Sequence, residues 1–150
     1  MSKTDSLHYR LCLKGAEWLR RQEFGSYKIV AVELVCYNVE NPDVWGTTGF
    51  KTAVIEVKTS RADFLRDKNK RCRKDKTYSC GNKRFYLTPK GLLKPSEILE
   101  HWGLLEYDGE DIQVIRDADD IPCQNHGDIA MLCSIMRREG VKSKIYNYRQ

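Results

Sequence analysis

The sequence has no hydrophobic run long enough to cross a membrane, and it lacks the basic-then-apolar start of a secretory signal. It also lacks G-x-x-x-x-G-K-[ST], G-x-G-x-x-G and G-x-S-x-G, so nucleotide hydrolysis, dinucleotide binding and serine-hydrolase chemistry have no support. No internal repeat or low-complexity tract divides the 150 residues. We therefore expect one cytoplasmic globular domain over residues 1–150, without membrane contact or nucleotide cofactor.

Paired cysteines of the zinc-ribbon kind are absent as well. The six cysteines are dispersed, several of them in apolar runs, as reduced core thiols are. Cys72, Cys80, Cys123 and His126 include one Cys-x₂-His spacing but no Cys-x₂-Cys knuckle. We expect no disulfide, and the spacing disfavours a structural zinc site.

Positive charge is concentrated in the middle of the chain. Lysine and arginine number 26 against 21 acidic residues, and the stretch from Lys58 to Lys90 is strongly basic, whereas acids gather between 97 and 120. Such a stretch predicts either a solvated helix face or a surface that holds a DNA phosphate backbone. The predicted DNA contacts are Arg61, Arg66, Lys68, Lys70, Arg71, Arg73, Lys74 and Lys76.

Residues 41–73 are the centre of the sequence. A hydrophobic strand over Lys51–Lys58 places Glu56 and Lys58 on one face, because side chains alternate along a strand. A turn containing Gly46 and Gly49 can fold the preceding strand back, which brings Asp43 beside Glu56.

This arrangement gathers hard oxygen ligands next to an amine. The carboxylates of Asp43 and Glu56 and the Val57 carbonyl suit Mg²⁺ or Mn²⁺, and Lys58 can orient or deprotonate a metal-bound water. The sequence therefore predicts a catalytic metal site at the end of this strand.

The same residues resemble a known family. Pro42-Asp43, twelve further residues and then Glu56-Val57-Lys58 resemble the PD-(D/E)xK nuclease superfamily, and the continuation to Phe64, Asp67-Lys68 and 80–86 is similar to its MmcB-like DNA-repair subgroup. The resemblance spans roughly residues 28–90. It implies an α/β fold with a restriction-endonuclease-like αβββαβ core, a mixed central sheet flanked by helices, and metal-dependent hydrolysis of DNA by an endonuclease or repair nuclease.

Two further acids are candidates for the metal site. Glu17 lies on the first predicted helix, where a glutamate of the superfamily often supplies another metal contact; the alternative is an exposed helix acid. Glu33 is the one interruption of the apolar run 28–37, where an isolated carboxylate is costly. It is either a metal ligand beside Asp43 and Glu56 or the partner of a base such as Lys58 or Arg20.

The remaining patterns predict the other elements. A first helix over Leu7–Glu23 buries Tyr9, Cys12, Leu13, Ala16 and Leu19, and 28–37 forms a central strand covered on both faces. Ser60 caps a basic helix, and Lys83–Thr88 is a fourth strand. A terminal hairpin over 104–115 and a helix over 125–138, with Ile129, Leu132, Cys133 and Met136 inward, complete the chain.

Other functions remain open on the sequence alone. A DNA-binding module without turnover could recruit a repair or recombination partner, and a protein-interaction domain would need neither DNA nor metal. Tyr78 and Tyr86 either stack on a base or sit half-buried in the core. A homodimer suits an enzyme that cuts both strands, because two cuts need two sites.

Overall fold

A computed structural model describes residues 5–22, 26–74, 79–122, 125–141 and 145–149. The elements are α1 (Leu7–Arg20), β1 (Ile29–Val32), β2 (Val44–Thr47), β3 (Thr52–Val57), α2 (Arg61–Asp67), α3 (Arg71–Lys74), β4 (Lys83–Pro89), a 3₁₀ turn (Pro95–Glu97), β5 (Gly103–Tyr107), β6 (Ile112–Arg116) and α4 (His126–Arg138). Among the helices of these ranges, none has the length and apolar character needed to cross a membrane.

The six strands form one mixed sheet in the order β1-β2-β3-β4-β5-β6. Strands β3, β4 and β5 are parallel to one another, and the remaining neighbours are antiparallel. The α/β class with a mixed sheet flanked by helices is confirmed, as are the fourth strand and the terminal hairpin. Strand β3 is buried along its whole length, as is Lys58, which follows it.

Helix α1 covers one face of the sheet. Its buried residues are Leu11, Cys12, Gly15 and Leu19, which pack with Ile55, Val57 and Leu87. The predicted stripe was partly wrong, since Leu13 is exposed. Gly15 explains the difference: a Cβ there would lie 3.2 Å from Ile55 and 3.3 Å from Leu87, so the helix approaches the sheet through its glycine.

The predicted strand over 28–37 is also corrected. Strand β1 ends at Val32, because Glu33 has a φ of 51°, which an extended strand cannot contain. The strand lies at the edge of the sheet and is only partly buried. Gly46 belongs to β2, and the chain reverses at 48–51, where Gly49 has a φ of 95°.

The opposite face carries two apolar clusters. One contains Phe64, Tyr86 and Trp102; the other contains Trp45, Val54 and Met131. Charged side chains of β3, β4 and the 61–74 segment meet on this same face.

Helix α4 is held to this face by hydrogen bonds. Asp128 Oδ1 accepts from Trp45 Nε1 at 2.8 Å and from the Gly81 amide at 3.0 Å. The helix buries Asp128 and Met131, and Leu132 packs against the same apolar cluster as predicted. Ile129, Cys133 and Met136, which were also predicted to face inward, are exposed. A buried polar anchor decides which face of α4 turns inward.

Changing Asp128 to Ala is expected to destabilise the protein by about 1–3 kcal/mol for each buried donor left without a partner. Urea unfolding followed by circular dichroism measures the effect. Asp111→Ala, at an exposed turn, serves as the control. Equal midpoints for both variants would contradict the anchoring role.

Candidate active site

Glu56 and Lys58 stand together where β3 ends. Their side chains point to the same face, and Lys58 Nζ lies 3.5 Å from Glu56 Oε2. The side chain of Lys58 is 4% exposed and that of Glu56 is 3% exposed. Lys58 Nζ also lies 3.0 Å from Asp67 Oδ1 and 4.0 Å from Asp63 Oδ2. The acid and amine that the sequence pairs are therefore in contact, and α2 closes over them.

Asp43 precedes β2 and joins the end of β3 through its side chain. The register pairs Val44 with Ile55, which places Asp43 next to Glu56. Asp43 Oδ2 accepts the Val57 amide hydrogen at 2.7 Å, so this carboxylate oxygen takes the place of a backbone carbonyl in the hydrogen bonding beside β3. Its other oxygen, Oδ1, lies 3.3 Å from His8 Nε2 on α1.

Around Glu56 and Lys58 lies a buried ionic network. We use this name for three acids and four bases: Glu40, Glu56, Asp67, Lys58, Lys70, Arg73 and Arg84. Its centre is Arg73, whose guanidinium lies 2.9 Å from Asp67 and 3.4 Å from Glu56 and also bonds Glu40. Arg84 Nη2 contacts both Glu40 oxygens at 2.6 Å.

Aromatic side chains bound this network. The Tyr86 hydroxyl donates to Asp67 Oδ2 at 2.7 Å. The guanidinium groups of Arg73 and Arg84 lie 4.5 and 4.6 Å from the centre of the Trp102 ring. Tyr86 is fully buried, so the predicted alternative in which it stacks on a base is wrong.

The two central acids have opposite pKa shifts. Burial and then the charge of Asp43 raise the pKa of Glu56 to about 7, although Arg73, Lys70 and Lys58 oppose the shift. Burial also acts to raise the pKa of Asp67, but the hydrogen bond and charge of Arg73, with Lys58 and Tyr86, hold it well below its ordinary value. Asp67 is therefore a permanent anion, whereas Glu56 changes charge near neutral pH.

Several predicted DNA contacts have partners within the chain. Arg61 pairs with Glu97, and Lys68 donates to the Glu97 carbonyl at 2.8 Å. The side chain of Arg73 is 2% exposed, so its assignment to a phosphate-binding surface is wrong: it neutralises buried acids.

The other predicted contacts differ in exposure. Arg66 and Lys74 are exposed and Lys70 is half-exposed. The side chain of Arg71 and all of Lys76 lie outside the described residues, as do Tyr78 and Cys123. The basic stretch is thus not one continuous surface within the part of the chain that the structure describes.

The two additional acids lie in different places. Glu33 is near the site: its amide donates to the Asp43 carbonyl at 2.8 Å. Glu17 is not brought there, because it is exposed on α1 and lies 3.8 Å from Lys14 and 3.9 Å from Arg21. The structure thus corrects the Glu17 candidate to its alternative, an exposed helix acid.

Sequence reasoning missed His8. Its Nδ1 lies 3.7 Å from Cys12 Sγ and its Nε2 faces Asp43, and ligand atoms of these three residues lie within 4.8 Å of one another. The imidazole thus contacts both other groups, one through each ring nitrogen. The available signal was the spacing of four residues between His8 and Cys12 on one face of α1.

The cluster of His8, Cys12 and Asp43 has a chemical limit. Burial, then the charge of Asp43, raises the pKa of Cys12 to about 12. The hydrogen bond to Asp43 raises the pKa of His8 above its usual value, against the effect of burial. Cys12 is thus a core thiol rather than a nucleophile, and His8 orients Asp43.

The residues beside Val57 fit a hard divalent cation in ligand type. Asp43 and Glu56 offer carboxylate oxygens next to the same backbone segment. Burial, and then the negative charge of Asp43, make ionisation of Glu56 unfavourable, and a dication would offset both effects. Lys70, being half-exposed, is the cation near Glu56 best able to move away.

The chain matches no protein-family model and no curated protein. A solved structure of a protein of unknown function from Silicibacter pomeroyi is similar in fold: it is 24% identical, the match covers 74% of this chain and 76% of that one, and the TM-score is 0.53. At this identity the similarity concerns the fold alone.

Proposed function

We propose that the protein is a metal-dependent nuclease that hydrolyses DNA phosphodiester bonds on a restriction-endonuclease-like αβββαβ core. The observation that carries the proposal is the end of β3, where Glu56 contacts Lys58 and Asp43 is anchored to the neighbouring Val57 amide. Carboxylates whose ionisation is disfavoured by burial and by a second carboxylate cluster at functional sites.

In this proposal Asp43, Glu56 and the Val57 carbonyl hold Mg²⁺ or Mn²⁺. The bound ion would lower the pKa of a water molecule and neutralise charge on the phosphate. Asp67 fixes the Lys58 ammonium at 3.0 Å, and His8 holds Asp43 from α1. These contacts set the position of the site before any substrate arrives.

Supercoiled plasmid tests the proposal. The wild-type protein should nick it with Mn²⁺ or Mg²⁺ and not with EDTA, and Glu56→Gln should reduce the rate about 100-fold or more, because a neutral amide cannot replace the carboxylate. Glu139→Gln, at the exposed end of α4, is the matched control. An equal rate for the Glu56 variant would refute the assigned role.

A DNA-binding module without turnover is the second candidate. It is favoured by one observation: three cations, on Lys58, Lys70 and Arg73, already lie against Glu56 without a metal. Such a protein would bind DNA with a strong salt dependence, to which exposed Arg66 and Lys74 contribute, and it would not nick plasmid with either ion.

A further inference from the structure

Two lysines converge on the same pair of acids. Lys58 Nζ lies 3.5 Å from Glu56 Oε2 and 3.0 Å from Asp67 Oδ1. Lys70 Nζ lies 3.7 and 3.0 Å from the same two oxygens. The two ammonium groups differ in exposure, because the Lys58 side chain is 4% exposed and that of Lys70 is 48% exposed.

Their backbone positions explain the difference. Lys58 follows β3 directly, and its amide donates to the Leu87 carbonyl in the parallel ladder. Its side chain is therefore held between the sheet and α2. Lys70 lies in the turn after α2, with its amide bonded to the Asp67 carbonyl, and its side chain approaches the acids from the solvent.

The charges of the buried ionic network single out Lys70. Its three carboxylates, on Glu40, Glu56 and Asp67, are matched in number by three enclosed cations, Lys58, Arg73 and Arg84. Lys70 adds a fourth positive charge at the solvent side. When Glu56 is ionised, moving Lys70 toward an incoming anion leaves the enclosed charges balanced, whereas moving Lys58 would leave Asp67 and Glu56 short of a cation.

We propose that Lys70 contacts the substrate phosphate at this site and that Lys58 is a positioning residue that holds Glu56 and Asp67 from within. The inference rests on the proposed nuclease function, and it specifies the group that first meets the phosphodiester backbone. It also departs from the expectation that Lys58 itself reaches the reacting water.

Steady-state cleavage of a short duplex compares Lys70→Gln, Lys70→Arg and Lys28→Gln. Lys70→Gln should raise KM about tenfold through the lost phosphate contact, with a smaller change in kcat. Lys70→Arg should recover most of the affinity, because a guanidinium also binds phosphate. Lys28 is exposed beside β1, at the other end of the sheet, and its variant should match the wild type.

Duplex binding in EDTA separates this inference from the nuclease proposal. The slope of log K against log salt should decrease by about 1 in Lys70→Gln. If the wild type binds but never cleaves while the variant loses this slope, the nuclease proposal fails and the Lys70 contact stands. Cleavage by both proteins with equal KM and equal salt slopes would overturn the Lys70 contact, and a wild type that neither binds nor cleaves DNA would overturn both.

Discussion

Replacing Arg73 with Met is expected to lower the free energy of unfolding by about 3–5 kcal/mol, because breaking a buried ion pair leaves uncompensated charge behind. The Arg73 guanidinium touches three carboxylates, those of Glu40, Glu56 and Asp67, and the guanidinium and all three acids are almost fully enclosed. Methionine fills a similar volume and removes only the charge and the hydrogen bonds. Urea unfolding at neutral pH, followed by far-UV circular dichroism, measures the loss.

Arg66→Met is the matched control for Arg73. Arg66 is 78% exposed on α2, and its contact with Asp63 is long, at 3.7 Å. Such surface changes usually alter stability by no more than about 0.5 kcal/mol. Similar unfolding midpoints for the two variants would mean that the buried ionic network does not hold Arg73 in solution.

Arg73 also shows why the basic stretch was misinterpreted from the sequence. Charged residues are rarely buried unless they are paired, so a run of bases predicts a surface. The run is not one helix: α2 ends at Asp67, the chain turns, and α3 begins at Arg71. This break turns Arg73 inward, and its partner Glu40 lies 33 residues earlier. No local pattern contains that pairing.

Elements fixed by local patterns were predicted well. The apolar run of β3 and β4, the turn of the β5–β6 hairpin and the Ser60 cap, which accepts the Asp63 amide hydrogen at 3.2 Å, all occur as expected. The buried faces of α1 and α4 were predicted only in part, because Gly15 and Asp128 set them through contacts with distant strands. The spacing of apolar residues alone does not show which of two adjacent faces of a helix packs against the sheet.

The residues of the candidate site also fall into those that the local sequence predicts and those that it does not. The contact of Glu56 with Lys58 follows from alternation along one strand, and the closeness of Asp43 follows from one tight turn. Glu40, Asp67, Arg84 and His8 reach the site from separate elements. Their roles depend on packing between layers, which has no short-range signature.

Glu56→Gln is expected to make the protein more stable at pH 8, by up to about 3 kcal/mol, although it should slow cleavage about 100-fold or more. The folded-state pKa of Glu56 is raised from 4.5 to about 7 by burial, then by the charge of Asp43, and Arg73, Lys70 and Lys58 only partly offset this. The native state therefore holds a proton that the unfolded state releases. The stability linked to Glu56 is complete below about pH 4.5 and is lost as the pH rises through about 7.

Urea unfolding of the wild type and the Glu56→Gln variant at pH 5 and pH 8 checks this sign. The two proteins should be similar at pH 5, where Glu56 is mostly protonated when folded, and the variant should unfold at higher urea at pH 8. Glu139→Gln again controls for an exposed acid. A variant less stable than the wild type at pH 8 would mean that the three cations, rather than burial and Asp43, decide the state of Glu56.

Binding of a divalent metal ion would connect the unfavourable ionisation of Glu56 to the proposed function. An ion bound between Asp43 and Glu56 would favour the ionised carboxylate, so Mg²⁺ at pH 8 should stabilise the wild type by an amount that grows with its concentration. The Glu56→Gln variant should gain much less. Because residues that disfavour the folded state persist mainly where activity needs them, a Mg²⁺-dependent gain confined to the wild type would identify Glu56 as a ligand independently of any cleavage assay. Equal gains in both proteins would place the bound ions elsewhere.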